Sequence, residues 1–127
     1  MKRFYIAIFL ILLCISFGLY EMYAVDHIVE ECNSSFQRVD NSLKSKDYLS
    51  AYKESMKNAK NYEEKVTGIM FCYFNHKDLE NLSWNMYQGA EYIKHKQIGD
   101  YYALKTTTKK QLQSLKDEEL FEIQNIL

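Results

Sequence analysis

Near its start the chain has an uninterrupted apolar segment, Phe4 to Tyr20, that contains no charged side chain. As a helix this segment is about 25 Å long, which approaches the hydrocarbon thickness of a membrane, about 30 Å. A cleaved signal peptide is the alternative, but its apolar run is usually shorter and ends at a site with small residues at positions −1 and −3. The best such site follows Ala24 and has the bulky Met22 at −3. We therefore predict a retained signal anchor.

The charges beside this segment predict its orientation. Lys2 and Arg3 precede it, and the positive-inside rule places such residues on the cytoplasmic side of the cell membrane. We expect the lipid bilayer to enclose residues 4–20. The prediction is a single-pass transmembrane anchor over residues 1–24, with a cytoplasmic N-terminus, and an extracytoplasmic domain over residues 25–127.

Beyond the anchor, apolar residues recur every three or four positions in four successive segments, which is the pattern of helices that bury one face. The chain also has no proline and only four glycines, which argues against turn-rich β-sandwiches and barrels. We predict an all-α fold in which the N-terminal transmembrane helix continues into an antiparallel bundle of about four helices. The predicted stripes are Ile28, Cys32, Phe36, Val39 and Leu43; Tyr48, Tyr52, Ser55, Met56, Ala59, Tyr62, Val66, Ile69, Met70 and Tyr73; Leu79, Leu82, Met86, Ala90 and Ile93; and Tyr101, Leu104, Thr108, Leu112 and Leu115.

Short polar segments, rich in residues that cap helices, separate the stripes and predict three turns, at Lys44–Asp47, Phe74–Asp78 and Gln97–Asp100. Gly99 suits the C′ position after the third helix, and Asp100 suits the cap of the fourth. Asp117 predicts a further cap, at which a short terminal segment begins. The residue identities show no repeat of fixed period.

The net charge argues against nucleic-acid binding, and the positions of the cysteines argue against a disulfide. The formal net charge is −1, so the chain lacks the basic surplus of nucleic-acid binders. Cys14 lies in the apolar segment, where a thiol packs as a small hydrophobe. Cys32 and Cys72 would face an oxidising compartment, but in a helical hairpin they lie about 18 Å out of register. A disulfide needs Cα atoms within about 7 Å, so we expect unlinked thiols.

No catalytic motif is present, since the sequence has neither a nucleophile elbow nor a glycine-rich phosphate loop. His27 and Glu31 have the i,i+4 spacing of a metal pair, but two ligands do not make a site. A solvated pair beside the membrane explains them better. We expect no catalytic residue, metal or cofactor, and predict that the protein is not an enzyme. His76 and Asn75 form a candidate polar site in the second turn, unless they only make local hydrogen bonds.

A lone tryptophan supplies the candidate for partner binding. Trp84 lies about 160° from the centre of the third apolar stripe, and Tyr87 lies on its near side. An aromatic residue opposite a core stripe is often the anchor of a protein interface. The alternative is that this helix packs on two sides, so that the indole covers a neighbouring helix.

Several landmarks from Tyr62 onward occur in a familiar order. They are Tyr62-Glu63-Glu64-Lys65, Phe74-x-His76-x-x-Leu79-x-x-Leu82, Glu91-Tyr92-Ile93-Lys94, Asp100 before Tyr102-Ala103-Leu104, Leu112-x-x-Leu115 and the ending Glu122-Ile123-Gln124-Asn125-Ile126-Leu127. With the apolar segment, this order resembles a family of short, membrane-anchored helical proteins of spore-forming Gram-positive bacteria that is known only as a domain of unknown function. The resemblance implies an all-helical extracytoplasmic domain with a role beside a multi-pass membrane protein, and no established activity.

These patterns predict a non-enzymatic, membrane-anchored interaction protein, such as an accessory subunit of an integral membrane protein, with Trp84 and Tyr87 in the contact. The alternative is an extracytoplasmic ligand-binding or sensor domain that uses the tyrosine-rich core and His76, which requires a cavity of a few hundred Å³. A metal-dependent enzyme is a weaker third hypothesis, because it needs His27 or His76 close to two more ligands.

Overall fold

The computed structural model describes the backbone of residues 1–69 and 76–126, and the side chains of residues 1–67 and 77–118. This part of the chain forms four helices and contains no strand. The helices are α1 (Lys2–Lys44), α2 (Tyr48–Ile69), α3 (His76–Lys94) and α4 (Ile98–Ile126). The predicted all-α fold is confirmed.

α1 is a single helix of 43 residues that joins the apolar segment to the bundle without a break. Side chains before Ile15 are exposed, and Gly18 is the first buried residue of the helix. Only 11% of its most apolar 18-residue window is buried, whereas the core helix of a soluble protein would be mostly buried there. By length and composition, α1 could therefore span a membrane.

The four helices run up, down, up and down around one core. α1 packs against α2 and α4, and α3 packs against the same two helices from the other side. We call the end at which α1 leaves toward the apolar segment the lower end, and the opposite end the upper end. A larger cluster of buried side chains, which includes Cys32, Phe36, Tyr62 and Leu82, fills the lower part of the core, and a smaller one around Ile93 fills the upper part.

α1 ends in a Schellman motif. Lys46 has a left-handed backbone, with a φ of 59°. Its N–H donates to the carbonyl of Leu43 at 3.0 Å, and the N–H of Asp47 donates to the carbonyl of Ser42 at 2.9 Å, so two of the last carbonyls of α1 are satisfied. Asp47 then caps α2, because its carboxylate accepts hydrogen bonds from the N–H and the hydroxyl of Ser50. The first predicted turn is confirmed.

The turn between α3 and α4 repeats this geometry 50 positions later. Lys96 has a φ of 58°, and the N–H of Gln97 donates to the carbonyl of Tyr92 at 2.8 Å. The prediction that Gly99 ends α3 and that Asp100 caps α4 is wrong, because both residues lie inside the first turn of α4. The hydrogen bonds of the motif offset the strain of a left-handed lysine, so the turn does not require glycine.

The two hairpins, α1–α2 and α3–α4, are therefore related by an offset of 50 residues. The buried positions follow the same offset, although the residue types mostly differ, so the repeat is structural and is not visible in the residue identities. The buried pairs are Cys32 and Leu82, Phe36 and Met86, Leu43 and Ile93, Ala51 and Tyr101, Asn58 and Thr108, and Tyr62 and Leu112.

α4 continues past the boundary predicted at Asp117, so the separate terminal segment is a wrong prediction. Gln113 donates a hydrogen bond of 3.1 Å to the Asp117 carboxylate, which pairs along the helix instead of capping a new one. Lys116 lies 3.7 Å from Asp26 on α1. α4 continues for about 15 Å beyond Lys116 and ends at Ile126.

Candidate functional site

Trp84 lies on the outward face of α3, and its side chain is 69% exposed. Leu82 and Met86, two positions away on either side, are buried in the core. The ring therefore does not cover a neighbouring helix in the described part of the chain. Glu80 lies one turn below Trp84 on the same face, and Gln88 lies one turn above it. We call Glu80, Trp84 and Gln88 the Trp84 surface.

Tyr87, the second predicted contact residue, is turned toward α2. Its ring is half-buried against the core, and its hydroxyl donates a hydrogen bond of 2.5 Å to Oε2 of Glu63. This hydrogen bond to a carboxylate, followed by desolvation, raises the pKa of Tyr87 to about 12. Tyr87 thus joins α3 to α2, and the structure does not bring it into the Trp84 surface.

The predicted polar site at the second turn falls mostly outside the described residues. His76 is the first residue of α3 and so belongs to the helix rather than to the turn, but its side chain lies outside the description. Asn75 and Cys72 also lie outside it. Among the side chains that are described, no three metal-ligating groups come together.

The cysteines within the description are Cys14, which is exposed, and Cys32, which is buried, and both are free thiols. Burial raises the pKa of the Cys32 thiol to about 12. A thiol with so high a pKa is almost entirely protonated at neutral pH and is therefore a poor nucleophile. Cys32 acts as a small apolar residue of the core.

A polar groove of about 450 Å³ runs between α1 and α2 on the outer side of the bundle. The described side chains that line it are all polar. The lining side chains lie on one continuous face of each helix, and they are His27, Glu30, Glu31, Ser34, Ser35 and Arg38 from α1, and Glu54, Lys57, Asn58 and Asn61 from α2. We call this space the α1–α2 groove.

The upper half of the groove is bridged by an ion pair. Nε of Arg38 and the hydroxyl of Ser35 both donate to Oε1 of Glu54, at 2.8 and 3.0 Å. Burial opposes ionisation of Glu54, but these hydrogen bonds outweigh it and lower the pKa of the carboxyl below its ordinary value. Glu54 is therefore ionised at neutral pH and is already engaged by the protein.

The lower half is bridged by Glu31. Its carboxylate accepts hydrogen bonds from Nζ of Lys65 and from the Asn61 amide, the latter at 2.9 Å, and Nε2 of His27 lies 3.1 Å away. The hydrogen bond from Lys65 is the main reason why the pKa of Glu31 is lowered, against the effect of burial. The His27–Glu31 pair of the sequence is thus part of a bridge between helices.

Three groups in the groove have no such partner. Asn58 is only 7% exposed, yet its side chain makes no hydrogen bond within the described residues. Lys57 and Glu30 lie on opposite walls, and neither forms a salt bridge to a side chain that the structure describes. Lys57 nevertheless attracts the Glu54 carboxylate and helps to lower its pKa, and no polar atom of Asn58 is among the buried atoms without a partner, so the groove is a solvated polar surface.

This groove was not predicted from the sequence. Its signal is present, because the α1 lining residues occupy positions 27, 30, 31, 34, 35 and 38, which is the spacing of one helical face. A polar face beside an apolar stripe is ordinarily solvated, however. Only the packing of α1 against α2 shows that the small residues Ser34, Ser35 and Asn58 leave a space there.

Glu21 is a second feature that was not predicted from the sequence. It is 0% exposed, and neither carboxylate oxygen has a hydrogen-bond partner among the side chains that the structure describes. It lies on α1 at the lower end, where α4 runs beside that helix. A polar group buried without a hydrogen bond costs stability, so this part of the bundle is less stable than its close packing alone would make it.

No curated protein and no solved structure matches this chain. A family model described as a domain of unknown function, DUF4363, matches residues 19–126. The match begins where α1 becomes buried, beside Gly18, and it leaves the exposed apolar segment outside. It covers most of the chain and all four helices of the bundle, so the chain belongs to the DUF4363 family, whose function is unknown.

Proposed function

We propose that this protein is a non-enzymatic, membrane-anchored interaction protein, and that it serves as an accessory subunit of an integral membrane protein. Trp84 carries the proposal. The core stripe of α3 is complete without it, and yet the largest side chain of the chain is left 69% exposed. Tryptophan is enriched among the residues that dominate binding energy at protein interfaces, which favours a partner at this position.

The anchor would keep the Trp84 surface close to the membrane. In the proposed topology residues 4–20 cross the cell membrane, the N-terminus is cytoplasmic and the bundle is extracytoplasmic, in a spore-forming Gram-positive bacterium as the family resemblance implies. The Asn85 amide donates a hydrogen bond to Gln111 on α4. The ion pairs Asp40–Lys105 and Asp26–Lys116 align α4 with α1, and at this alignment Gln111 lies beside residue 32 of α1. Trp84 then lies about 18 Å beyond Tyr20, within reach of the loops of a multi-pass protein.

The charges around Trp84 indicate the chemistry of the partner surface. Glu80 lies one turn below the indole and forms no ion pair with the described residues. Glu91, two turns above it, is also exposed, and its carboxylate lies 3.7 Å from Nε2 of His95. A partner that fits would offer an apolar pocket for the indole with lysine or arginine at its rim, because opposite charges across an interface favour association.

Photo-crosslinking in membranes tests the proposal. A photoreactive amino acid replaces Trp84 in the full chain, and a second variant carries it at Leu49. Leu49 is a matched control because it is also apolar and exposed (64%) but lies at the upper end of α2. We expect one discrete adduct with an integral membrane protein from position 84 and none from position 49.

Three outcomes would contradict the proposal: no adduct from position 84, the same adducts from both positions, or an adduct of twice the mass of this chain, which indicates a second copy. A competing full chain should reduce the adduct, and the same chain with Trp84→Ala should not. Because Trp84 is exposed, Trp84→Ala is expected to change the free energy of unfolding by only about 0.5 kcal/mol. A loss of competition therefore reports on binding rather than on folding.

The α1–α2 groove favours a second candidate function, an extracytoplasmic ligand-binding or sensor domain. Its volume of about 450 Å³ lies within the range of small-molecule sites. This space is lined by polar residues of α1 and α2, so those residues are the candidates for ligand contact.

A further inference from the structure

The outward side of α2 carries a shallow, basic surface with a volume of about 680 Å³. Its described lining includes Tyr52, Lys53, Lys57, Lys60 and Glu64, and Glu64 is the single carboxylate among those lining side chains. The three lysines are exposed, and they follow one another within about 10 Å of helix length. We call these five residues the α2 lysine surface.

Two lysines at the end of α3 extend this surface toward the upper end of the bundle. Nζ of Lys94 lies 5.8 Å from the centroid of the Tyr52 ring. One turn nearer the upper end, Nζ of Lys96 lies 5.6 Å from the centroid of the Tyr48 ring. Five ammonium groups are therefore gathered on this side of the bundle, although the net charge of the chain is −1.

These ammonium groups are not held by carboxylates. None of them forms a salt bridge with a side chain that the structure describes. Lys53 attracts the carboxylate of Asp47, and Lys57 attracts that of Glu54, but both carboxylates accept their hydrogen bonds from other groups. The lysines of α2 therefore remain hydrated and accessible to an anion from outside the chain.

The second hairpin shows that the fold does not require these lysines. At the offset of 50 residues, the three lysines of α2 correspond to Ala103, Thr107 and Lys110 on α4. These three positions are exposed as well. The same outward face is thus solvated on α4 with one lysine in place of three, so the concentration of positive charge on α2 is a property of that helix alone.

Two kinds of anion fit this surface poorly. The Asn61 amide, at its lower border, bonds to Glu31, which lies about 16 Å beyond Tyr20 along α1. In the proposed topology this distance exceeds the Debye length, about 8 Å at physiological salt, so the charge of the lipid surface is largely screened there. Single-stranded nucleic acids stack their bases on aromatic rings, but the Tyr52 ring packs on the core and already carries the Lys94 ammonium.

We propose that the α2 lysine surface binds a linear phosphate polymer that carries no aromatic bases. Lysine binds phosphate as a point charge, and three lysines within about 10 Å hold consecutive phosphates of one polymer. Every unit of such a polymer is charged along its backbone, whereas the side chains of an extended acidic peptide alternate between two sides, so fewer carboxylates reach one face. The inference goes beyond the proposed function and does not involve Trp84, so a negative crosslinking result would not affect it.

The probe is end-labelled inorganic polyphosphate, and its fluorescence anisotropy is measured with the full chain in phosphatidylcholine nanodiscs. We expect saturable binding that weakens as salt is added. With three or four phosphates neutralised, the logarithm of the association constant should fall with the logarithm of the salt concentration at a slope of about −2 to −3. Polyglutamate of equal total charge should bind about tenfold more weakly.

A pair of double variants locates the binding surface. Lys57→Gln combined with Lys60→Gln should weaken binding at least about tenfold, and the salt slope should become less negative by about 0.7 for each lysine removed. The matched control combines Lys109→Gln with Lys110→Gln, which removes two exposed lysines from α4 and should leave the slope unchanged. Circular dichroism checks folding, since exposed substitutions of this kind change the free energy of unfolding by about 0.5 kcal/mol or less.

Four outcomes would overturn the proposal. They are no binding of polyphosphate at low salt, an equal loss of affinity in the α2 and α4 double variants, binding of polyglutamate as tight as that of polyphosphate, and binding of oligothymidine tighter than that of polyphosphate. The third outcome would assign the surface to an acidic protein segment, and the fourth would assign it to a nucleic acid.

Discussion

Lys46, which has a left-handed backbone in the first turn, allows a direct test of the structure. In Lys46→Gly the residue with a φ of 59° loses its Cβ, while its neighbours and their backbone hydrogen bonds are kept. An L-residue in this conformation costs roughly 1–2 kcal/mol, and glycine removes that cost. Glycine also gives the unfolded chain more freedom, which offsets about 0.4–1 kcal/mol. We expect a net gain in stability of about 0.5–1 kcal/mol.

The matched control is Lys53→Gly, because Lys53 is an exposed lysine in the second turn of α2, where the backbone is a right-handed helix. The chemical change and the loss of charge are the same, but here glycine should cost about 1 kcal/mol. Lys96→Gly should fall between the two, since its left-handed backbone is relieved but its ammonium, 5.6 Å from the Tyr48 ring centroid, is lost. That cation–π contact is worth about 0.5–1 kcal/mol.

Thermal unfolding of the full chain in detergent, followed by circular dichroism, measures all three variants. A change of about 1 kcal/mol shifts the Tm of a domain of this size by about 4–8 °C. Lys46→Gly should therefore melt a few degrees higher than the unaltered chain, and Lys53→Gly a few degrees lower. If Lys46→Gly is destabilised as much as Lys53→Gly, the Schellman motif at the end of α1 is refuted.

Three further changes test other parts of the bundle. Gly89→Ala should stabilise it by about 0.5–1 kcal/mol in chemical denaturation, because alanine favours a helix and its Cβ would meet the Tyr101 ring at an ordinary 3.6 Å; a loss of stability would contradict this packing. Glu21→Leu should raise stability by about 1–3 kcal/mol, since it removes a buried carboxylate that has no hydrogen-bond partner among the described side chains; a lower Tm would mean that the carboxylate is satisfied. Acid should destabilise the bundle, because the hydrogen bond from Lys65 lowers the folded-state pKa of Glu31. The stability that this pair contributes is complete above the ordinary pKa of 4.5 and is lost as the pH falls through the lower folded-state pKa. Lys65→Met should reduce this pH dependence, which melting curves at several pH values measure.

The helices could be predicted because their signal is periodic and needs only residue polarity. Every residue of the predicted α3 stripe, from Leu79 to Ile93, is buried in the structure. The turns were harder, because left-handed backbone is ordinarily a glycine signal and Gly99 was the nearest glycine to the end of α3. Lys96 takes that conformation through backbone hydrogen bonds, which leave no mark in residue composition.

The candidate sites also differ in how far the sequence alone predicts them. The outward position of Trp84 follows from its angle around the helix axis, which the sequence contains. The inward turn of Tyr87 depends on its hydrogen bond to Glu63 across the helix interface. The α1–α2 groove depends on how much volume is left beside Ser34 and Asn58, and volumes between helices are fixed by packing rather than by periodicity.

Because α1 is a single unbroken helix, any tilt of the membrane anchor also displaces the bundle. In the proposed membrane placement, the helix extends about 36 Å from Tyr20 to its upper end at Lys44. A tilt of about 20°, the average for transmembrane helices, moves that upper end sideways by about 12 Å and moves Trp84 by about 6 Å. A partner that holds Trp84 therefore also restricts the angle of the anchor, and a partner that tilts the anchor shifts the domain with it.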